Sequence, residues 1–298
     1  HFYKNEALMV TVQNMPKILL IILCLFVCSC SQSDRKLNSV KGLSVEPPKM
    51  PVQFETHGFS FSPGRSCVNE WIDPSFCVAT EPREWTQTEL SKVGTWISSM
   101  PIGLLSRVKA NGFDSLFRYG HGFRKSADNI GYTRDEPGAW VWGRDKSINV
   151  SDLIFAASPL DPFGRYDFSH KTIVHEFAHA FDSGTIDDSF LELIGWRKVD
   201  GVWVLSDFDM DEVRATYKRV QKLGFEGLNE HSPQKIAEAI MLNRRYGMER
   251  GFPTAYAMTN PSECFAELLS HLIVDPTHRE YLSDDILEWF SKNTFYRR

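Results

Sequence analysis

Two histidines four residues apart, His175 and His179, constrain the fold of this chain more than any other feature. They lie in the segment Ser169 to Ser183, where apolar residues recur at helical spacing, with Ser169 as the expected cap and Gly184 as the expected stop. On a helix, residues at i and i+4 share one face, with Cβ atoms roughly 5–6 Å apart. Both imidazoles can therefore reach one metal ion.

Glu176 lies between the two histidines, about 100° around the helix axis from His175. Its carboxylate can approach a water molecule on the ion without binding the ion itself. Two histidine ligands and a glutamate base form the pattern of zinc metallopeptidases. We therefore predict one Zn²⁺ per chain, with His175 and His179 as ligands and Glu176 as the general base. The alternative is two ordinary, partly exposed histidines on an amphipathic helix.

A catalytic zinc site needs a third protein ligand and an open position for water. The metzincin arrangement is excluded, because the position six residues after His179 is Thr185. The best remaining donor is the segment 260–267, where Glu263 and Glu267 share one face of a predicted helix. One of these glutamates would bind the ion and the other would contact a ligand histidine. The residues alone leave the two roles interchangeable.

Three parts of the sequence together resemble the anthrax-lethal-factor-like gluzincin metallopeptidases: residues 175–182, Tyr256 and residues 260–267. The resemblance covers the two motif helices, and the stretch between them is longer than in lethal factor. It implies a zincin-like catalytic domain with Glu263 as the third zinc ligand. It also implies that the phenol of Tyr256 donates a hydrogen bond to the oxyanion of the attacked peptide.

Two further acidic residues are candidates for orienting the ligand histidines. Glu267 would accept a hydrogen bond from the free ring nitrogen of one of them. Asp182, three residues after His179, shares the face of both histidines and is a second candidate. Asp182 is equally well explained as an exposed polar residue near the end of the helix.

The order of the predicted elements favours an α+β fold with a small mixed sheet and a mostly helical C-terminal half. In zincin folds, an edge strand over the active-site helix pairs with extended peptide substrates, and we expect Ser147 to Leu153 to form it. Short strands are predicted over residues 112–152, and a hairpin over 194–205. The predicted helices cover residues 84–100, 101–111, 169–183, 211–223, 233–244, 261–274 and 284–292.

The N-terminal segment resembles a bacterial lipoprotein signal. After Met15 come one lysine, a continuous apolar run over residues 18–27, and the tetrad Val27-Cys28-Ser29-Cys30. The apolar run is too short to span a bilayer, which takes roughly 20 residues. The resemblance implies cleavage before Cys30, lipidation of its sulfur, and a chain held on the cell envelope.

This N-terminal interpretation divides the chain into three parts. Residues 1–29 are upstream residues and signal peptide, and residues 30–65 are the lipidated cysteine and a flexible tether rich in serine and proline. Residues 66–298 form the predicted catalytic domain. In an oxidising compartment Cys67 and Cys77 are expected to form a disulfide.

The remaining cysteine and the overall charge complete the expectations. Cys264 lies in an apolar helical segment and is expected to be a buried, unreactive residue. The formal net charge of −5 excludes a broad electrostatic attraction to nucleic acid. We expect a monomer that acts on a protein or peptide. Two alternatives remain: a zinc-binding surface module without proteolytic activity, and a zinc hydrolase of a non-peptide amide.

Overall fold

The computed structural model describes residues 54–64, 67–69, 77–122, 124–125, 132–133, 139–142, 146–156, 167–182, 186–229 and 232–295. The expected signal peptide, Cys30 and most of the expected tether lie outside these residues. None of the helices among them combines the length and the hydropathy that a bilayer span requires.

The described residues form a mixed α/β structure in which helices predominate and the sheet is small. The strands are β1 (Phe54–Thr56), β2 (Phe59–Pro63), β3 (Cys67–Asn69), β4 (Cys77–Pro82), β5 (Ser115–Gly122), β6 (Arg124–Lys125), β7 (Tyr132–Thr133), β8 (Ala139–Trp142), β9 (Ser147–Val150), β10 (Trp196–Val199) and β11 (Val202–Leu205). The α-helices are α1 (Gln87–Ser98), α2 (Ile102–Ala110), α3 (Leu153–Ala156), α4 (Phe168–Asp182), α5 (Asp188–Leu193), α6 (Met210–Asn229), α7 (Pro233–Met248), α8 (Pro261–Val274) and α9 (Asp284–Phe290). Short 3₁₀ helices cover Tyr256–Met258 and Pro276–Tyr281, and a π-helical turn covers Ser291–Phe295.

Strand β5 is the centre of the sheet. β2 and β9 run parallel to its first half on opposite sides, so that Leu116 lies between Phe61 and Ile148. β1 pairs antiparallel with β2, β8 pairs antiparallel with β9, and β4 pairs antiparallel with the second half of β5. Leu116, Phe61 and Ile148 are all buried, and they form part of the core beneath the helices.

The expectation that Ser147 to Leu153 form the edge strand is wrong. β9 lies between β5 and β8, and all four of its residues are buried. Among the described strands, β8 is the edge strand next to β9, and it packs against α4. A strand with neighbours on both sides must bury its backbone, and the local sequence pattern does not show which of two adjacent strands that is.

The folded part also begins earlier than the expected boundary at residue 66. β1 and β2 fall within the expected tether, yet Phe59 and Phe61 are buried core residues. Their alternation with serine is the period of a half-buried strand. A free tether would leave both aromatic rings in water.

Helix α4 lies at the centre of the molecule and is buried along almost its whole length. It packs against α8, against α1 and α2, and against β8 and β9. Its N-terminal cap is Asp167, not Ser169 as expected. The Asp167 Oδ1 atom accepts hydrogen bonds from the backbone N–H groups of Ser169, at 2.8 Å, and His170, at 3.3 Å.

Other predicted elements are confirmed. α8 begins at Pro261, and the Asn260 side chain caps it by accepting from the N–H of Glu263 at 3.0 Å. The β10–β11 hairpin turns at Asp200 (φ 49°) and Gly201 (φ 81°), the pair of left-handed residues that a tight hairpin turn needs. Helices α6 and α7 are both longer than predicted.

The prediction for Cys264 is confirmed, whereas that for Cys67 and Cys77 is not tested. Cys264 is fully buried, as expected, and burial raises the pKa of its thiol to about 12. Cys67 and Cys77 lie on the neighbouring antiparallel strands β3 and β4, with Cys77 opposite Asn69 and Cys67 opposite Ala79. Their side chains are outside what the structure describes, so the disulfide stays a prediction.

A buried arginine ties the sheet to α1. Arg118 of β5 is 1% exposed and pairs with Glu89 of α1 at 2.6 Å and with Asp152, which follows β9. Its guanidinium carbon lies 4.8 Å from the centre of the Phe155 ring. One cation thus joins three elements that are distant in sequence.

Replacing Arg118 with leucine is expected to lower the free energy of unfolding by about 3 kcal/mol, because Glu89 and Asp152 lose their shared, buried cation. Urea unfolding measures this change. Arg83→Leu is the matched control: Arg83 also pairs with Asp152, but its side chain is 55% exposed, so the loss should stay below about 1 kcal/mol. Equal losses in the two variants would contradict the prediction.

Candidate metal centre

Three donor atoms from two helices converge on one point. His175 Nε2 and His179 Nε2 of α4 are 3.0 Å apart, and Glu263 Oε2 of α8 lies 3.1 Å and 3.2 Å from them. These three residues form a group that could hold a metal ion. Ligands at 2.0–2.1 Å from a tetrahedral zinc ion are about 3.3–3.4 Å apart, so the triangle fits one such ion with only a slight expansion.

The fold explains why these atoms meet. His175 and His179 are one turn apart on α4, and Glu263 is in the first turn of α8, where the Asn260 cap fixes the start of the helix. The packing of α4 against α8 then brings the two faces together. His175 and Glu263 are each 7% exposed, whereas the His179 side chain is 18% exposed, so His179 is the member of the triangle most accessible to water.

Glu267, one turn after Glu263, lies behind His175 and outside this triangle. Its Oε1 atom is 3.0 Å from Nδ1 of His175, the ring nitrogen turned away from the triangle, and also contacts the ammonium group of Lys171. Its Oε2 atom accepts a hydrogen bond from the hydroxyl of Thr254 at 2.9 Å. The structure therefore gives the two glutamates different surroundings, with Glu263 facing both histidines and Glu267 facing the outer side of one.

Asp182 reaches His179 through an intermediate residue that the sequence did not suggest. The hydroxyl of Ser262 lies 3.1 Å from Nδ1 of His179 and donates a hydrogen bond to Asp182 Oδ2, also at 3.1 Å. Asp182 is 5% exposed, which contradicts its interpretation as an exposed residue at the helix end. Each of the two histidines of the triangle thus has a polar partner at its outer nitrogen, as metal-binding histidines usually do.

Glu176 lies beside the triangle and is not part of it. Its carboxylate is buried and accepts a hydrogen bond from the backbone N–H of Val141 in β8. Burial raises the pKa of Glu176 above its usual range, although His175 and His179 act in the opposite direction. A carboxylate with a raised pKa holds a transferred proton better than an exposed one.

Tyr256 is also brought to the centre. Its ring is nearly parallel to that of His175, at 16°, with centroids 6.1 Å apart. The Tyr256 ring also stacks on that of Tyr217 of α6, with centroids 5.1 Å apart, and the backbone N–H of Tyr256 donates to Asn243 Oδ1 at 3.2 Å. The position of Tyr256 therefore depends on α6 and α7, which lie between the two motif helices in sequence.

The buried carboxylates control the charge of His175 when no ion is bound. Burial alone would lower the pKa of His175, but Glu263 and Glu267 outweigh it and raise this pKa to about 9. Burial alone would raise the pKa of Glu263, but His179 and His175 hold it below its usual range. An ion that binds here at neutral pH must therefore displace a proton.

This raised pKa predicts how the ion-free protein responds to pH. Because the folded pKa of His175 is about 9 and the ordinary value is 6.5, its stabilising contribution is complete below pH 6.5 and is lost as the pH rises through 9. The loss should reach about 3 kcal/mol. Urea unfolding in the presence of a chelator at pH 6, 7.5 and 9 would measure it.

The control for this experiment is His175→Gln, because it keeps every other titrating group of the protein. Burial lowers the pKa of His271 well below 6.5 and that of His278 to about 4, so both buried histidines destabilise the fold as the pH falls through 6.5. Parent and variant share this effect, so the difference between their free energies of unfolding reports His175 and should shrink by about 3 kcal/mol from pH 6 to pH 9. A difference that does not change with pH would refute the assignment.

Comparisons of this chain with protein-family models, with curated proteins and with solved structures gave no match. What the centre can do must therefore be argued from its own geometry.

Sequence analysis missed three residues of the centre: Lys171, Thr254 and Ser262. Lys171 carried a usable signal, because it precedes His175 by four residues and so shares the ligand face of α4. Ser262 is adjacent to Glu263, but adjacency on a helix does not indicate which way a side chain faces. Thr254 lies outside any regular element and had no signal of this kind.

Proposed function

We propose that the protein is a zinc-dependent endopeptidase of the gluzincin type with a zincin-like catalytic domain. The observation that carries the proposal is the convergence of His175, His179 and Glu263 at 3.0–3.2 Å, with the buried Glu176 beside them. A metal site formed only for stability has its ligands closed around the ion and needs no such base, whereas a hydrolytic one keeps a position open and places a base next to it.

Zinc is the ion that best suits these donors. Two imidazole nitrogens and one carboxylate oxygen are a common ligand set of catalytic zinc, whereas Ca²⁺ and Mg²⁺ prefer sites made of oxygen atoms. When bound, zinc polarises a carbonyl group and lowers the pKa of a bound water to about 7.

The protein side chains supply the proton transfers and the orientation. Glu176 takes a proton from the attacking water and later gives it to the leaving amine. The phenol of Tyr256 donates a hydrogen bond to the oxyanion that forms on the attacked carbonyl. Glu267 and Ser262 accept from the Nδ1–H groups of the two ligand histidines, so that the Nε2 lone pairs face the ion. Asp182 fixes the hydroxyl of Ser262.

An extended protein or peptide substrate fits the edge of the sheet. Among the strands that the structure describes, β8 pairs only with β9, and its Val141 N–H reaches the Glu176 carboxylate. A peptide that pairs with the free side of β8 would pass beside Glu176. We further propose that the chain acts as a monomer, held on the cell envelope through a lipid on Cys30.

The direct test is to measure zinc and peptide cleavage in the same preparation. We expect about one zinc per chain by mass spectrometry and cleavage within peptides of a broad library, lost with a chelator and restored by zinc. A protein without zinc would overturn the proposal. Zinc without peptide cleavage would favour the non-proteolytic surface module or a hydrolase of another amide.

A further inference from the structure

Lys171 occupies an unusual position for a cation. It lies one turn before His175 on α4 and is 7% exposed, so its charge is buried close to the metal centre. An ammonium group at this place repels a metal cation, and it is costly to bury unless it is paired. Here the ammonium group is paired with Glu267 Oε1.

Lys171 supplies a positive charge next to the glutamate that lies outside the donor triangle. Glu176, Glu263 and Glu267 are 6%, 7% and 2% exposed, and Asp182, behind Ser262, is a fourth buried carboxylate at 5%. With two neutral histidines, a divalent cation in the triangle would compensate two of these negative charges. Lys171 is paired with Glu267, so the burial of this carboxylate does not depend on the ion.

Lys171 also fixes the direction of one carboxylate. Its ammonium group holds Oε1 of Glu267, and the hydroxyl of Thr254 holds Oε2 at 2.9 Å. With both oxygens held, the carboxylate stays 3.0 Å from Nδ1 of His175. An acceptor at Nδ1 places the ring proton there and leaves Nε2 free to bind an ion.

We propose that Lys171 is a positioning residue: it holds Glu267 against His175 and away from the metal ion, and so raises the affinity of the centre for zinc. This inference rests on the zinc centre of the proposed function. It assigns distinct tasks to the two glutamates of α8. Glu263 faces the histidines directly, and among the residues that the structure describes it has no lysine partner of this kind.

A double-mutant cycle of Lys171→Met and Glu267→Gln tests the inference, with the zinc dissociation constant measured by competition with a chromophoric chelator. We expect Lys171→Met to weaken zinc binding about 10-fold, within the range for loss of an outer partner of a ligand. In the Glu267→Gln background the same substitution should change the affinity less than about 2-fold, because Lys171 acts through Glu267.

The alternative roles of Lys171 predict different changes in zinc affinity. If Lys171 acted only through its charge, removing it would make zinc binding tighter, and if it acted only on folding, zinc affinity would be unchanged while the melting temperature fell. Either result, or an equal effect in both backgrounds, overturns the inference. If Lys171→Met does not fold, Lys171→Leu takes its place, since leucine also removes the donor and the charge and the same changes in zinc affinity are expected in both backgrounds.

Lys218→Met is the matched control, because Lys218 is exposed on α6, and zinc affinity should not change in this variant. Zinc binding by the parent protein distinguishes a failure of the proposed function from a failure of the role of Lys171. If the parent does not bind zinc, the proposed function fails. If the parent binds zinc and the cycle shows no coupling, only the role of Lys171 fails.

Discussion

Glu176→Gln is expected to lower peptide hydrolysis by about 10²–10⁴-fold while the protein keeps its zinc. The amide cannot take a proton from water, so the attack loses its base. The substitution preserves size, and the remaining oxygen can still accept from the Val141 N–H. Because Glu176 is outside the donor triangle, zinc content should stay at the parent value. The measurement is kcat/KM on a cleaved library peptide, together with zinc content by mass spectrometry.

Two further variants make this result specific. Glu192→Gln removes an exposed carboxylate from α5 and should leave both readouts at the parent level. Glu176→Asp keeps a base but withdraws it by one methylene, so it should lose less activity than Glu176→Gln. Undiminished cleavage by Glu176→Gln would show that another group takes the proton, and the assignment of the base would be wrong.

Local features of the sequence were sufficient to predict the two motif helices, α4 and α8. In α8, Pro261 at the first helical position and the Asn260 cap define the start, and the spacing of Glu263 and Glu267 follows from 3.6 residues per turn. The position of His175 and His179 on one face of α4 follows from the same helical period. Each of these inferences needs only residues within one turn of each other.

The packing of α4 against α8 could not be predicted from such local features. Glu263 and Glu267 are equivalent in the sequence, and what separates them is contact with residues outside their own helix. Glu267 contacts Lys171 and Thr254, whereas Glu263 contacts His175 and His179. The resemblance to gluzincins predicts Glu263 as the ligand, and the packing of α4 against α8 is what places Glu263, and not Glu267, against both histidines.

The pairing of the strands is the second feature that the sequence could not predict. Both β8 and β9 are four-residue strands. Which of them lies at the edge depends on β5, whose Ser115 pairs with Ser147 of β9 although the two residues are distant in sequence. The same holds for β2, whose Phe59 and Phe61 identify it as part of the core only when β5 is beside it. Serine and proline around this segment favoured a tether, and tertiary packing overrode that composition.

Glu263→Gln is expected to weaken zinc binding far more than Glu267→Gln does. Losing an outer partner typically costs 10–100-fold in metal affinity, so the loss for Glu267→Gln should fall in that range and the loss for Glu263→Gln should exceed it. A neutral amide oxygen is a poor substitute for a carboxylate ligand. It would also leave a buried divalent cation with one fewer negative charge beside it. Chelator competition measures both dissociation constants on one scale.

Rescue by metal separates loss of affinity from loss of fold. Glu263→Gln should regain part of its peptidase activity when zinc is raised well above its weakened dissociation constant, because Glu176 and Tyr256 remain in place. Glu280→Gln, an exposed carboxylate beyond α8, serves as the control and should bind zinc as the parent does. If Glu267→Gln instead proved the more damaging of the two, the glutamates would have exchanged roles. Lys171 would then lie beside the ligand itself, where its repulsion of the cation would have no compensating benefit.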